Sequence, residues 1–104
     1  MIIYVDIDET ICEHTKADSH SPRDYTQAIP IKKNIKKINK LYEKGNTIVY
    51  WTARGTTTGL DWAELTKKQL KEWEVSYHEL KMKKPYYDLF ICDKAMNSLD
   101  FFKE

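Results

Sequence analysis

A chain of 104 residues suits one domain with its own core and is too short for a catalytic domain beside a large substrate-covering one. With 17 basic and 16 acidic residues the net charge is +1, which gives no global pull toward nucleic acid or membrane, and no apolar run approaches the roughly 18 residues of a membrane span. Cys12 and Cys92 lie far apart without paired spacing, so a reduced, cytoplasmic protein is expected; the short apolar start holds two acids and no basic leader, so no secretory signal is expected.

Residues 2–6, "IIYVD", read as a strand, and the continuous apolar run suits one buried on both faces of a parallel sheet. Residues 12–30 turn polar and irregular. Pro22, Pro30 and the Ser and Asp clusters predict a long loop, a length that is usually functional or disordered. Residues 31–44 form the clearest helix, with Ile31, Ile35, Ile38, Leu41 and Tyr42 on one face, Pro30 at the start and Gly45 at the stop. Its lysines are expected on a solvated face rather than against nucleic acid. A second strand follows at 47–51 and leads into "TARG", 52–55. A second helix falls within 60–73, a short strand at 75–80, another strand at 87–91 and a last helix within 95–103. There is no repeat and no linker, so residues 1–104 are read as a single domain. Strands alternating with helices predict an α/β fold, a Rossmann-like three-layer sandwich with a mainly parallel central sheet.

Ligands of open α/β sheets bind beyond the carboxyl ends of the strands. The predicted strands end there in Asp6 and Asp8, in Thr52 and Arg54, and in Asp93, with Lys81, Lys83 and Lys84 just before the last strand. Three carboxylates, a hydroxyl and an ammonium are what Mg²⁺-assisted phosphoryl transfer needs: hard oxygen ligands for the ion, a carboxylate nucleophile, and groups that hold charge on phosphoryl oxygens.

The segment "DIDET" after an apolar strand resembles the DxDxT signature of the haloacid dehalogenase superfamily of phosphatases. Thr52, Lys84 before Pro85, and Asp93 resemble its second, third and fourth motifs, in order along nearly the whole chain. The stretches "YWTARG" and "KKPYYDLFICDKA" further resemble small members, without a cap domain, that serve capsule or polysaccharide biosynthesis. The resemblance implies a Mg²⁺-dependent phosphomonoesterase acting through an aspartyl-phosphate on a small phosphorylated metabolite, sugar phosphates of polysaccharide synthesis included. Asp6 would be the nucleophile and Asp8 the acid and then the base; Thr52 would bind phosphate and Lys84 would stabilise charge. Asp6, the Asp8 backbone carbonyl and Asp93 would hold Mg²⁺. Thr10, Ala53 and Arg54 are expected at the substrate, with a surface acid as the alternative partner of Arg54. As an acid Asp8 faces a hurdle, since a carboxyl with a pKa near 3.9 is only about 0.1 % protonated at pH 7; neighbouring acids and burial are expected to raise it.

Cys92 stands where many relatives carry the first of two adjacent acids, which would weaken Mg²⁺ binding if the thiol took the ligand's place. The same residue motivates a rival reading, a non-catalytic binding domain of the same fold. A receiver-type phospho-accepting module is a second rival, but its acceptor aspartate would stand where this chain has Thr52. His14, His20 and His78 fit no metal spacing and are expected to be solvated, and Tyr25, Trp51 and Trp62 are read as packing rather than pocket residues. Without a cap, loop 12–30 or a neighbouring subunit in a homo-oligomer is expected to cover the site; no nucleic-acid or membrane partner is expected.

Overall fold

The structure is a computed structural model and describes residues 1–14 and 23–103. His20 and Pro22 of the predicted loop lie outside the described residues.

The sheet has three parallel strands in the order β1 (Ile2–Val5), β4 (Thr47–Trp51), β5 (Glu79–Lys81). Ile2 pairs with Thr47 and Val5 with Tyr50; Val49 pairs with Glu79 and Trp51 with Lys81. Between β1 and β4 the chain forms a small antiparallel pair, β2 (Cys12–Glu13) with β3 (Ile29–Pro30), and a 3-10 turn at Tyr25–Gln27. The predicted loop 12–30 is therefore partly ordered at both ends. Asp24 caps the 3-10 turn through its side chain, which accepts from the Thr26 amide.

Helix α1 (Lys32–Glu43) follows β3, and α2 (Ala63–Glu72) joins β4 to β5. Both end in the same way. Asn46 N–H donates to the Leu41 carbonyl with Gly45 at φ 96°, and Val75 N–H donates to the Leu70 carbonyl with Glu74 at φ 57°. Each residue after the cap enters the left-handed region so that the last carbonyls find donors. The strands advance in one direction, β1 to β4 to β5, and right-handed crossovers then put both helices on one face. Ile35, Ile38 and Leu70 accordingly join Val5, Ile7, Ile48 and Tyr50 in the buried core. Among the described residues this makes one helical layer on one sheet. The opposite face presents Ile2 and Tyr4, both exposed, next to Trp51. Tyr50 is fully buried, and its hydroxyl has no hydrogen-bond partner among the described residues.

One predicted element is absent. Residues 87–91 do not form a strand, and none of the backbone–backbone hydrogen bonds among the described residues involves residues 85–96. Leu89 is 75 % exposed and Ile91 87 %. An apolar run has strand propensity but cannot choose its own neighbour, and here no neighbour is engaged. The last helix shrinks to one turn, α3 (Ser98–Phe101), capped by Asn97 and anchored on α1, where Lys37 Nζ donates to the Phe101 carbonyl and lies over its ring. Among the described residues, no helix is long and apolar enough to cross a membrane.

Candidate functional site

β1 leads directly into the turn Asp6–Cys12. Thr10 and Ile11 N–H both donate to the Ile7 carbonyl, and Glu9 N–H donates to the Cys12 carbonyl. Glu9 takes φ 62° to close this turn. A non-glycine residue in that region is uncommon and tends to occur where function fixes the backbone. Asp6 and Asp8 are thereby held beyond the carboxyl end of β1, as predicted, but in different surroundings.

Asp6 Oδ1 accepts from the Ile7 amide at 2.8 Å, and Oδ2 lies 3.8 Å from Lys84 Nζ. Its side chain is 42 % exposed. Burial pushes its carboxyl above the ordinary value, and Lys84 and the Ile7 amide offset only part of that push. Of the three candidate lysines, Lys84 is the one paired with Asp6; Lys81 Nζ donates instead to the Tyr4 hydroxyl at 3.0 Å. Lys84 is positioned by its backbone. Lys83 sits at φ 62°, and Lys84 N–H donates to the Thr52 carbonyl while its own carbonyl accepts from the Thr56 hydroxyl. Thr52 is fully buried at the end of β4, and its hydroxyl oxygen accepts from the Arg54 amide, which leaves the hydroxyl proton to donate elsewhere.

Arg54 does not face a substrate. Its guanidinium is buried, with Nε 3.0 Å from Asp8 Oδ2, Nη2 2.9 Å from Asp8 Oδ1, and Nη1 bonded to Thr66 Oγ1 and Gln69 Oε1. Tyr25 covers it with a ring centroid 4.7 Å away, and Trp62 meets Tyr25 edge-on, so both aromatics pack as expected. The expected substrate contact is thus an internal clamp joining the β1 turn to α2, because Asp8 supplies the bidentate acceptor that a guanidinium matches best. Gly55 permits the approach: a Cβ there would stand 2.0 Å from the Leu60 carbonyl oxygen, and its φ is +81°. Thr10 is buried, its carbonyl accepting from Asn34 Nδ2, and Ala53 is half-buried beside Thr52.

His14 departs from the solvated reading. Its Nε2 is 2.8 Å from Asp8 Oδ1, and its side chain is only 5 % exposed. His78 is exposed, as expected, although its Nδ1 accepts from the Ile48 amide and its ring stacks on Tyr42. The expected rise in the Asp8 pKa is also reversed. Burial pushes the Asp8 carboxyl up, but hydrogen bonds and charge from Arg54, then from His14, outweigh it and hold the group below its ordinary value. No local sequence signal marks this network, because its members lie 46, 12 and 15 residues from Arg54, or six from each other.

Asp8, Cys12 and His14 bring one donor atom each within 4.8 Å of one another. Such a set would suit Zn²⁺. A cation is already there, however: the Arg54 guanidinium contacts both Asp8 oxygens and lies 3.8 Å from Cys12 Sγ. Burial first, and the Asp8 charge second, push the Cys12 thiol up to about 12, far from the thiolate a metal requires. The Mg²⁺ set expected from Asp6, Asp8 and Asp93 does not appear as a cluster of donor groups among the described residues. Asp93 is exposed on the unpaired segment, its carboxylate 3.8 Å from Cys92 Sγ, and it does not end a strand. Cys12 is buried and Cys92 exposed, and both are free thiols.

No family model matches the chain, and no curated protein matches it. A crystal structure of a structural-genomics target from Vibrio cholerae matches with a TM-score of 0.81 at 22 % identity, over 99 % of this chain and 88 % of that one. That likeness extends to the fold, a small α/β unit with a parallel sheet.

Proposed function

We propose that this chain is a Mg²⁺-dependent phosphomonoesterase of the haloacid dehalogenase type, acting through an aspartyl-phosphate on a small phosphorylated metabolite, with sugar phosphates of surface-polysaccharide synthesis the first class to test. The three-layer, capless architecture of that superfamily is part of the same proposal. The observation that carries it is the contrast between the two acids. Asp6 is accessible, oriented by the Ile7 amide and free of any guanidinium, with Lys84 3.8 Å away. A carboxylate so held, with its proton affinity raised by burial, is a competent nucleophile.

In this reading an Asp6 oxygen bonds to phosphorus while the bond to the leaving oxygen breaks, and water then cleaves the acyl-phosphate. Lys84 balances the charge that gathers on Asp6 and the phosphoryl oxygens. The Thr52 hydroxyl donates to phosphate only after a small local opening, since it is fully buried. Asp8, kept ionised by Arg54 and His14, suits the base step, taking a proton from the attacking water. To protonate the leaving oxygen, Asp8 must first take up a proton from solvent, which requires its contact with Arg54 to loosen. Asp6, the Asp8 backbone carbonyl and Asp93 would hold Mg²⁺, which would supply positive charge against the phosphoryl oxygens.

Phosphate release from an aryl phosphate with Mg²⁺ tests the reading, with abolition expected in Asp6→Asn. No turnover of that substrate or of a broad metabolite panel sinks the enzyme claim, and activity surviving in Asp6→Asn sinks the nucleophile. The displaced Asp93 favours the non-catalytic rival, for which Mg²⁺ would fail to bind even with a phosphate mimic present.

A further inference from the structure

Two unsatisfied surfaces lie in the same chain. β1 ends the sheet, so one edge of it is unpaired, and Ile2 and Tyr4 on its outer face are exposed. Residues 85–96 make no backbone–backbone hydrogen bond among the described residues, and Tyr86, Leu89, Phe90, Ile91 and Met96 are exposed. Exposed apolar patches and open strand edges mark association sites. Both stretches are four-residue apolar runs that end in an aspartate. Set side by side in parallel, "LFICD" (89–93) meets "IIYVD" (2–6): Leu89 beside Ile2, Phe90 beside Ile3, Ile91 beside Tyr4, Cys92 beside Val5 and Asp93 beside Asp6.

In this register the segment cannot reach its own β1 while Lys84 stays where it is. Lys84 N–H is bonded to the Thr52 carbonyl, and the pairing of Ile2 with Thr47 puts Thr52 level with Ile7. From there to a place beside Ile2 is five residues down the sheet and two strand spacings across, about 19 Å. The five residues from Lys84 to Leu89 span at most about 17–18 Å when fully extended, which leaves nothing for the turn.

We propose that segment 89–93 of one copy adds as a parallel strand to the open β1 edge of a second copy, and reciprocally, so that Asp93 of each copy completes the Asp6 site of the other. Strand addition satisfies the free backbone groups of both partners, and a reciprocal exchange doubles the contact, toward the roughly 1,000 Å² that a specific interface needs. Leu89 and Ile91 would stand beside Ile2 and Tyr4 on the same face and contact them along one flank. Two neighbouring carboxylates repel unless a cation lies between them. Lys84 supplies one positive charge there, and the pair is the divalent-cation site that a single chain lacks. The strand exchange stands on the chain's own geometry; its catalytic consequence rests on the phosphatase reading.

The test has two arms. In the first, sedimentation of the wild-type chain is expected to show a dimer, and mild oxidation of Val5→Cys is expected to link that position to Cys92 of the other copy, seen as a covalent dimer on a non-reducing gel. A monomer, or a link formed within one chain, overturns the exchange. In the second, Asp6→Asn and Asp93→Asn, each inactive alone, are unfolded together and refolded. A mixed dimer has one intact site of two, so about a quarter of wild-type activity is expected. No recovery with an active wild type overturns the shared site. A wild type inactive on every phosphate ester overturns the phosphatase reading, and the first arm still decides the exchange.

Discussion

The Asp8 turn and the 85–96 segment are both irregular stretches rich in residues that one would place at a catalytic edge. In the turn, the Asp8 carboxylate accepts from Arg54 and His14, and the guanidinium is shared with Thr66 and Gln69. In the segment, the backbone makes no backbone–backbone hydrogen bond among the described residues, and Leu89 and Ile91 meet water. Charge has been buried where it is fully partnered, and apolar surface has been left out where it is not. The first arrangement is finished within the chain; the second leaves apolar side chains in water. A charged residue near a site is therefore no guide to its role until its partners are known, and an apolar run is no guide to a strand until its neighbour is.

The sharpest way to break that contrast is to remove the clamp. Arg54→Met leaves the Asp8 carboxylate buried beside an apolar chain, and a loss of about 3–5 kcal/mol is expected in urea unfolding. A loss below about 1 kcal/mol would mean that the turn holds itself without Arg54. Gly55→Ala comes next. Its Cβ would meet the Leu60 carbonyl at 2.0 Å in a left-handed backbone, and a cost of about 2–4 kcal/mol is expected in the same measurement.

Acid titration separates the two aspartates in sign. Asp8 has a lowered folded value, so its contribution is present above its unfolded pKa near 3.8 and is lost as pH falls through the lower folded one. Asp6 has a raised folded value, so the folded state loses stability as pH rises from 3.8 through the raised one. With EDTA present, Asp8→Asn is expected to flatten the dependence below about pH 3.8, and Asp6→Asn to raise Tm at neutral pH. The smallest effect is expected outside the clamp. Leu89→Ser, melted at a concentration low enough to keep the chain monomeric, should shift stability by no more than about 0.5 kcal/mol, the size typical of exposed positions.

The parts of the fold readable in the sequence were those that local pattern controls. Thr47–Trp51 is a strand because its apolar run is buried, and Lys32–Glu43 is a helix because Ile35 and Ile38 recur at its period and Gly45 stops it. Asp6 and Thr52 stand just past strand ends, where the apolar runs before them put them; Lys84, expected just before a strand at 87–91, instead follows β5. Arg54 and His14 were misjudged because their partners come from other elements, 46 positions away for Arg54 and on a turn that only Glu9's backbone makes possible. Residues 87–91 were misjudged for the opposite reason: their composition is right for a strand, but pairing is a property of two segments and the pattern describes one.

The clamp also has a consequence for ionic strength. The exposed pairs of α2, Lys67 with Glu64 at 3.7 Å and Lys68 with Glu72 at 3.9 Å, lie in a counter-ion atmosphere whose screening length shrinks to about 3 Å in molar salt. Arg54 is buried under Tyr25, Thr66 and Gln69, and the Asp8 side chain is only 14 % exposed. Brine would therefore strip the surface of its electrostatics and weaken the join between the β1 turn and α2 far less.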